Sequence, residues 1–278
     1  MTRPTFPLAL ALCLFAAATP GRAQAPAASP AAPVAADSLT PPDAPLQEET
    51  EILITCALAK APGPNETRIF SSPAMADTAK GTWHYKLWLP KGYLASPSKK
   101  WPCMFIMSPG GDAHMYGMGD HLKAKGYVVV MLVEAKNGPW GPIVGDFLAA
   151  HDDVIKRVRI EEGKKFATGH SGGARGSSLF VQARPGFGGV ILQGAGAAPL
   201  QSGPGGYAIE GIQRNGKIFV AMLMGKTDAN RVETDRVTRT LNSPARVKTF
   251  EFEGGHMWAP KEAFEQAIVW MEQKNGLP

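Results

Sequence analysis

The sequence predicts an α/β fold, a mostly parallel sheet buried on both faces and covered by helices. Two observations carry this. Continuous apolar runs of strand length recur at Cys103 to Ser108, Tyr127 to Val133, Phe166 to Thr168, Val190 to Leu192 and Ile218 to Met224, as strands covered on both sides require. Between them lie stretches whose apolar residues repeat with helical spacing, which suits crossover helices.

In chain order, the first element stands outside the fold. Arg3 precedes the apolar run Leu8 to Ala18, and Ala23-Gln24-Ala25 follows. Charged region, hydrophobic region and small-residue cleavage site together read as a secretory signal over residues 1–25, so the mature chain is expected to start near Pro26 and to be exported, to a periplasm or outside the cell. The apolar run is too short for a stable span, which needs roughly 20 residues, and no membrane anchor is expected. Residues 26–47 are rich in Pro and Ala and poor in aromatic and β-branched residues. That composition buries too little apolar surface to offset the entropy of ordering, so the stretch is expected to be a disordered linker. Residues 48–278 then form one domain with a single core.

Within that domain, Glu51 to Ala59 and Thr82 to Leu89 read as strands of an antiparallel start, the second alternating Trp83, Tyr85, Leu87 and Leu89 with more polar neighbours. Val144, Phe147, Leu148, Val154, Ile155 and Val158 share one helical face with His151, and His151-Asp152-Asp153 reads as the wet part of that helix. Val247 to Phe252 is an alternating strand, and Phe264, Ala267, Ile268 and Met271 mark a last helix that stops at Asn275-Gly276. Cys13 leaves with the signal. Cys56 and Cys103 either pair in an oxidising compartment or lie separately as small buried thiols.

Composition excludes some partners. The whole chain carries 29 Lys+Arg against 24 Asp+Glu, a formal charge of +5. Removing residues 1–25 takes away only Arg3 and Arg22 and leaves +3. With the basic residues scattered, no nucleic-acid partner is expected. Oligomeric state is not legible.

The chemistry centres on Ser171. A short apolar strand, Phe166 to Thr168, runs into Gly169-His170-Ser171-Gly172-Gly173 and then into a helix-compatible stretch from Ala174 to Ala183. Strand, sharp turn and helix are the setting in which Gly-x-Ser-x-Gly exposes a serine hydroxyl as a nucleophile. The helix behind it aims its N-terminal amides at developing negative charge. A serine needs a base, and His256 follows the strand Val247 to Phe252 on a turn made by Gly254 and Gly255. The base needs an acid to fix its tautomer, and Asp228 follows the strand Ile218 to Met224 directly, with Glu233 and Asp235 as more distant alternatives. Histidines 84, 114, 121, 151 and 170 read as surface or satisfied core residues, although His114 and His170 lie near enough to shape the site. No pair has metal-ligand spacing, so no metal is expected.

Acyl transfer also requires donors for the oxyanion, and the strand Cys103 to Ser108 ends in Pro109-Gly110-Gly111-Asp112. The amide of Gly111, with Gly110 as the alternative, is expected to act together with that of Gly172. Trp258 beside the base, His170 beside the nucleophile and Trp140 in the loop Gly138 to Pro142 are candidates for lining the substrate pocket, ordinary packing being the competing role of both tryptophans.

These strand-end motifs together resemble the α/β-hydrolase superfamily over nearly all of residues 50–278. The stretch Arg159 to Gly169 and the Gly254-Gly255-His256-Met257-Trp258 ending are similar to secreted carboxylesterases related to polyhydroxybutyrate depolymerases, feruloyl esterases and dienelactone hydrolases. The resemblance implies an eight-stranded sheet with helices on both faces, no cofactor, and small or polymeric ester substrates. Pro109 stands where many relatives have histidine, and there is little sequence between strands for a large lid, which argues against a long-chain lipase. The expectation is a serine hydrolase that cleaves carboxylic esters through an acyl-enzyme. A small serine peptidase of the same fold and a noncatalytic binding protein are the alternatives.

Overall fold

A computed structural model describes residues 39–58, 81–138, 140–199 and 207–277. The expected signal and most of the expected linker lie outside them. Strands β1 (Glu51–Ala57), β2 (Thr82–Trp88), β3 (Trp101–Met107), β4 (Val128–Leu132), β5 (Ile160–His170), β6 (Phe187–Gln193), β7 (Phe219–Gly225) and β8 (Val247–Phe252) form one sheet. Their order across it is β1-β2-β4-β3-β5-β6-β7-β8. β1 pairs antiparallel with β2, β2 antiparallel with β4, and all later neighbours are parallel. This is the α/β-hydrolase architecture.

The helices are α1 (Gly119–Ala124), α2 (Trp140–Arg157), α3 (Gly172–Ala183), α4 (Glu210–Arg214), α5 (Glu233–Leu241) and α6 (Lys261–Lys274). Alternating side chains divide the core between the two faces of the sheet. Val128, Val130 and Leu132 of β4 pack with Phe147 and Leu148 of α2 and Phe180 of α3. Val129 and Met131 of the same strand pack on the opposite side with Leu122 of α1 and Phe264, Ile268 and Met271 of α6. Burying each such side chain contributes about 1.5–3 kcal/mol. The continuous apolar runs of the sequence therefore mark strands with two dry faces, and β5 extends well upstream of its run, to Ile160.

Three expectations change, and the open question of the cysteines is decided. Ile155 is 44 % exposed, off the buried face of α2, and Val158 lies just beyond the helix. His151, read as wet, is only 1 % exposed. Its Nε2 lies 3.1 Å from Nζ of Lys165 on β5, while Asp152 receives two bonds from Arg184 at 2.7 and 2.8 Å and Asp153 accepts from Tyr85 Oη at 2.7 Å. A strand and a helix cap that the periodicity of α2 does not reveal cover this polar turn. Residues 39–47 do not all behave as linker. Thr40 exchanges main-chain and side-chain bonds with Thr55, Arg157 binds the carbonyls of Thr40 and Pro41, and Leu46 packs on the core. The cysteines are separate, buried free thiols. β2 and β4 stand between their strands, a gap of about 14 Å at about 4.8 Å per strand, beyond the reach of a disulfide. Burial pushes both thiols up.

Among the described residues, no helix is long and apolar enough to cross a membrane, and no group of three or more His, Cys, Asp or Glu is placed to hold a metal ion.

Candidate active site

Three strand ends converge at the carboxyl edge of the sheet. Ser171 sits between β5 and α3 with φ 52° and ψ −116°, a left-handed conformation that costs a non-glycine residue energy and persists only where its surroundings enforce it. The enforcement comes from its neighbours. A Cβ on Gly169 would lie 2.6 Å from the Met107 carbonyl oxygen and collide with the backbone of Gly173, and one on Gly173 would collide with that same carbonyl. Both glycines of Gly-x-Ser-x-Gly are thus required for helix α3 to press against β3 and β5. The Ser171 amide donates to the Gln193 carbonyl at the end of β6, at 2.8 Å.

Asp228 and His256 are held to each other by their loops. The Thr227 amide and Oγ1 both donate to the Gly254 carbonyl, at 3.0 and 2.9 Å, and the Lys226 amide donates to the Phe252 carbonyl at 2.9 Å. Gly225 ends β7 where the carbonyls of Gly254 and Gly255 leave no room for a side chain. This strapping aligns the polar groups. His256 Nδ1 is 2.9 Å from Asp228 Oδ2, and His256 Nε2 is 2.9 Å from Ser171 Oγ. The second carboxylate oxygen, Oδ1, accepts from the Asn230 amide at 2.9 Å. With a carboxylate at Nδ1, that nitrogen carries the proton and Nε2 is left to accept from the serine hydroxyl. The Asp228 side chain is 1 % exposed and that of His256 43 %, so the acid is sealed in while the imidazole faces solvent. Glu233, the alternative acid, is committed elsewhere. It binds Arg175 at 2.7 Å and the Gly196 amide at 2.7 Å.

His170 and Trp258 gather beside the imidazole. The His170 ring centroid is 4.6 Å from that of His256 and 5.4 Å from that of Trp258, and Tyr116 stacks on Trp258 at 4.0 Å with 19° between planes. His170 is a buried member of this stack rather than an open pocket wall. Burial, aided by the nearby His256, pushes its imidazole down to about 4, so it is neutral at neutral pH. Trp140 is not brought to this group by any contact among the described residues. It packs on the core cluster that α2 and α3 cover.

The two amides expected to serve the oxyanion are placed differently. The Gly172 amide opens α3, where an N–H has no intrahelical acceptor. The Gly111 amide is not free, because it closes a turn onto the Ser108 carbonyl at 3.2 Å, and that of Gly110 donates to Ser108 Oγ at 3.2 Å. Ser108 organises the turn inward through Asp112 and through Tyr116, whose hydroxyl donates to it at 2.8 Å. A serine in a strand-end loop does not announce such a role in sequence.

Sequence reasoning also passed over Gln193. Its side chain donates to Thr168 Oγ1 at 3.0 Å and accepts from the Ala259 amide at 3.2 Å, so one buried residue ties β5 to the loop after His256. Standing just past an apolar strand run, it carries no local signal of such a role.

No family model matches the chain, and no curated protein does. Solved structures share its fold. It is similar to a ferulic acid esterase at 14 % identity, covering 81 % of this chain and 99 % of that one, with a TM-score of 0.54. It is similar to the feruloyl esterase module from Clostridium thermocellum complexed with sinapinate at 14 % identity, covering 84 % and 89 %, with a TM-score of 0.55. A third is the Staphylococcus aureus fluorophosphonate-binding serine hydrolase F, at 14 % identity, covering 80 % and 98 %, with a TM-score of 0.51.

Proposed function

From the α/β-hydrolase fold that these likenesses establish, we propose that the protein is an exported serine hydrolase that cleaves carboxylic esters by acyl transfer. The observation that carries this reading is the hydrogen-bonded run from Ser171 Oγ through His256 to Asp228, with 2.9 Å at each step. In the first half-reaction Ser171 Oγ bonds to the ester carbonyl carbon while its proton passes to His256 Nε2. The tetrahedral intermediate then expels the alkoxide leaving group, which takes that proton. In the second, water loses a proton to His256 as it attacks the acyl-serine, and Ser171 Oγ leaves with that proton as the acid is released. Asp228, sealed from solvent, holds the tautomer and stabilises the imidazolium at each stage.

An open base fits substrates that need no deep tunnel. His256 is exposed, and its neighbour Met257 is 49 % exposed, giving an apolar surface beside the reacting centre. Together with the aromatic pair Tyr116 and Trp258, this favours short or aromatic acyl groups, in keeping with the esterase names of the structural neighbours.

The test is labelling with a fluorophosphonate probe together with turnover of acetyl, butyryl, octanoyl and feruloyl esters and of peptide amides. Labelling at Ser171 with ester turnover far above amide turnover is expected. A folded protein that takes no label would be a noncatalytic member of the fold, and amide turnover equal to ester turnover would make it a peptidase. Export is tested by sequencing the N-terminus of protein recovered from the periplasm or medium, where a start near Pro26 is expected.

A further inference from the structure

Two donors are needed for the oxyanion, and the turn expected to provide one of them has its amides turned inward. The amides of Gly110 and Gly111 both bond to Ser108. What that turn holds in place instead is Asn137, whose amide donates to the Pro109 carbonyl at 3.0 Å. Asn137 belongs to the loop between β4 and α2, and its side chain reaches the start of α3. A Cβ on Gly172 would collide with Asn137 Oδ1 and would lie 2.9 Å from Cγ and 3.4 Å from Nδ2. The carboxamide therefore lies in contact with Gly172, the residue after Ser171, whose own amide is the other donor. It is exposed, and among the described residues no partner engages its NH2 group. A half-turn about Cβ–Cγ exchanges its oxygen and nitrogen, so the donor end is available on whichever side negative charge develops.

Resting on the acyl-transfer reading above, we propose that Asn137 is a catalytic residue, its side-chain NH2 donating to the oxyanion jointly with the Gly172 amide. As Ser171 Oγ bonds to the carbonyl carbon and its proton moves to His256, the carbonyl π pair settles on oxygen. Asn137 then donates to that oxygen more strongly than to the neutral carbonyl, so its effect falls on the transition state and on kcat. Glycine is required at 172 for the same reason, since any side chain there would expel the carboxamide.

The experiment compares wild type, Asn137→Ala and Asn137→Asp in p-nitrophenyl acetate hydrolysis and in inhibition by a phenyl trifluoromethyl ketone, whose serine adduct carries the same oxyanion. Circular dichroism and thermal melts show that each variant is folded. Asn137→Ala is expected to lose on the order of 10²- to 10³-fold in kcat with KM little changed, and to weaken the ketone by a similar factor. Asn137→Asp keeps the volume but sets a carboxylate against the oxyanion, so it is expected to be at least as poor. Rates within threefold of wild type, recovery in Asn137→Asp, or unchanged ketone affinity would each overturn the assignment. Wild type that is folded yet neither labelled by fluorophosphonate nor active on the ester would overturn the acyl-transfer reading first and this inference with it.

Discussion

The imidazole of His170 lies against that of His256, ring centroids 4.6 Å apart, in a place where solvent barely reaches it. Burial first, and the neighbouring imidazole second, push His170 from its ordinary 6.5 down to about 4. The unfolded chain thus binds a proton here more readily than the folded one. The resulting stability is fully present above about pH 6.5 and is lost as pH falls through about 4. Replacing His170 with Gln removes this titration. Thermal unfolding followed between pH 7 and pH 4.5 is expected to show a smaller fall in Tm for His170→Gln than for wild type. His151, also lowered by burial, titrates in both proteins and cancels from the difference. Parallel Tm curves would show that His170 does not titrate in this way.

Removing members of the polar run separates their roles. Ser171→Ala is expected to lose roughly 10⁴- to 10⁶-fold in ester turnover and all fluorophosphonate labelling. Asp228→Asn keeps the volume but offers Nδ1 an amide in place of a carboxylate, which favours the wrong tautomer. A loss of about 10⁴-fold in kcat is expected, with the labelling rate falling alongside it. Near-normal turnover in Ser171→Ala would mean that another serine is the nucleophile.

How much of this could be read in the sequence depends on how local each cause is. Ser171, Asp228 and His256 each stand where an apolar strand run meets glycine, and both signals are local, so position and order along the chain were readable. The burial of β4 on both faces followed from its continuous apolar run, and the buried face of α6, with Phe264, Ala267, Ile268 and Met271, followed from spacing. Gln193, Asn137 and Ser108 were not readable, because each is placed by contacts outside its own turn: Gln193 bonds to Ala259, Asn137 bonds to Pro109 and lies against Gly172, and Ser108 bonds to Tyr116. Gly111 was misassigned for the same reason. A glycine turn fixes where an amide lies, but the acceptor offered by Ser108 decides where that amide points. His151 shows the converse. Its helical face was right, yet Lys165 holds the ring and Arg184 and Tyr85 bind the neighbouring Asp152 and Asp153, all three from other elements.

The glycine at 173 is a steric requirement that can be measured. Its φ is not in the left-handed region, so the only objection to alanine is the Met107 carbonyl, against which a Cβ would collide, with the carbonyl carbon at 3.0 Å. Both partners are main chain, so relief requires α3 and β3 to part. Gly173→Ala is expected to cost about 1–3 kcal/mol in denaturant unfolding and up to about 10²-fold in kcat through displacement of Ser171. Gly216→Ala, where an added Cβ meets nothing within 4 Å, is the control and is expected to stay within about 0.5 kcal/mol of wild type. Equal behaviour of the two variants would dismiss the steric account of the motif.

Gln193 joins the nucleophile's strand to the loop that carries the base, and its removal is expected to affect both stability and rate. In Gln193→Leu the Ala259 amide and Thr168 Oγ1 lose their partners in a buried setting. Thr168 Oγ1 still donates to the Ile191 carbonyl at 2.8 Å and is only partly deprived. The Ala259 amide has no such recourse, so the cost is expected at about 1–3 kcal/mol. The main-chain bond from Ser171 to the Gln193 carbonyl survives the substitution, so the nucleophile keeps its place and fluorophosphonate still reacts with it. The loop from His256 to Ala259 is released, and the imidazole spends less time 2.9 Å from Ser171 Oγ. Turnover is therefore expected to fall through kcat, by up to about 10²-fold, with KM nearly constant. A rise in KM at unchanged kcat would place Gln193 in substrate binding instead. Loss of stability without any change in rate would reduce it to a core hydrogen bond.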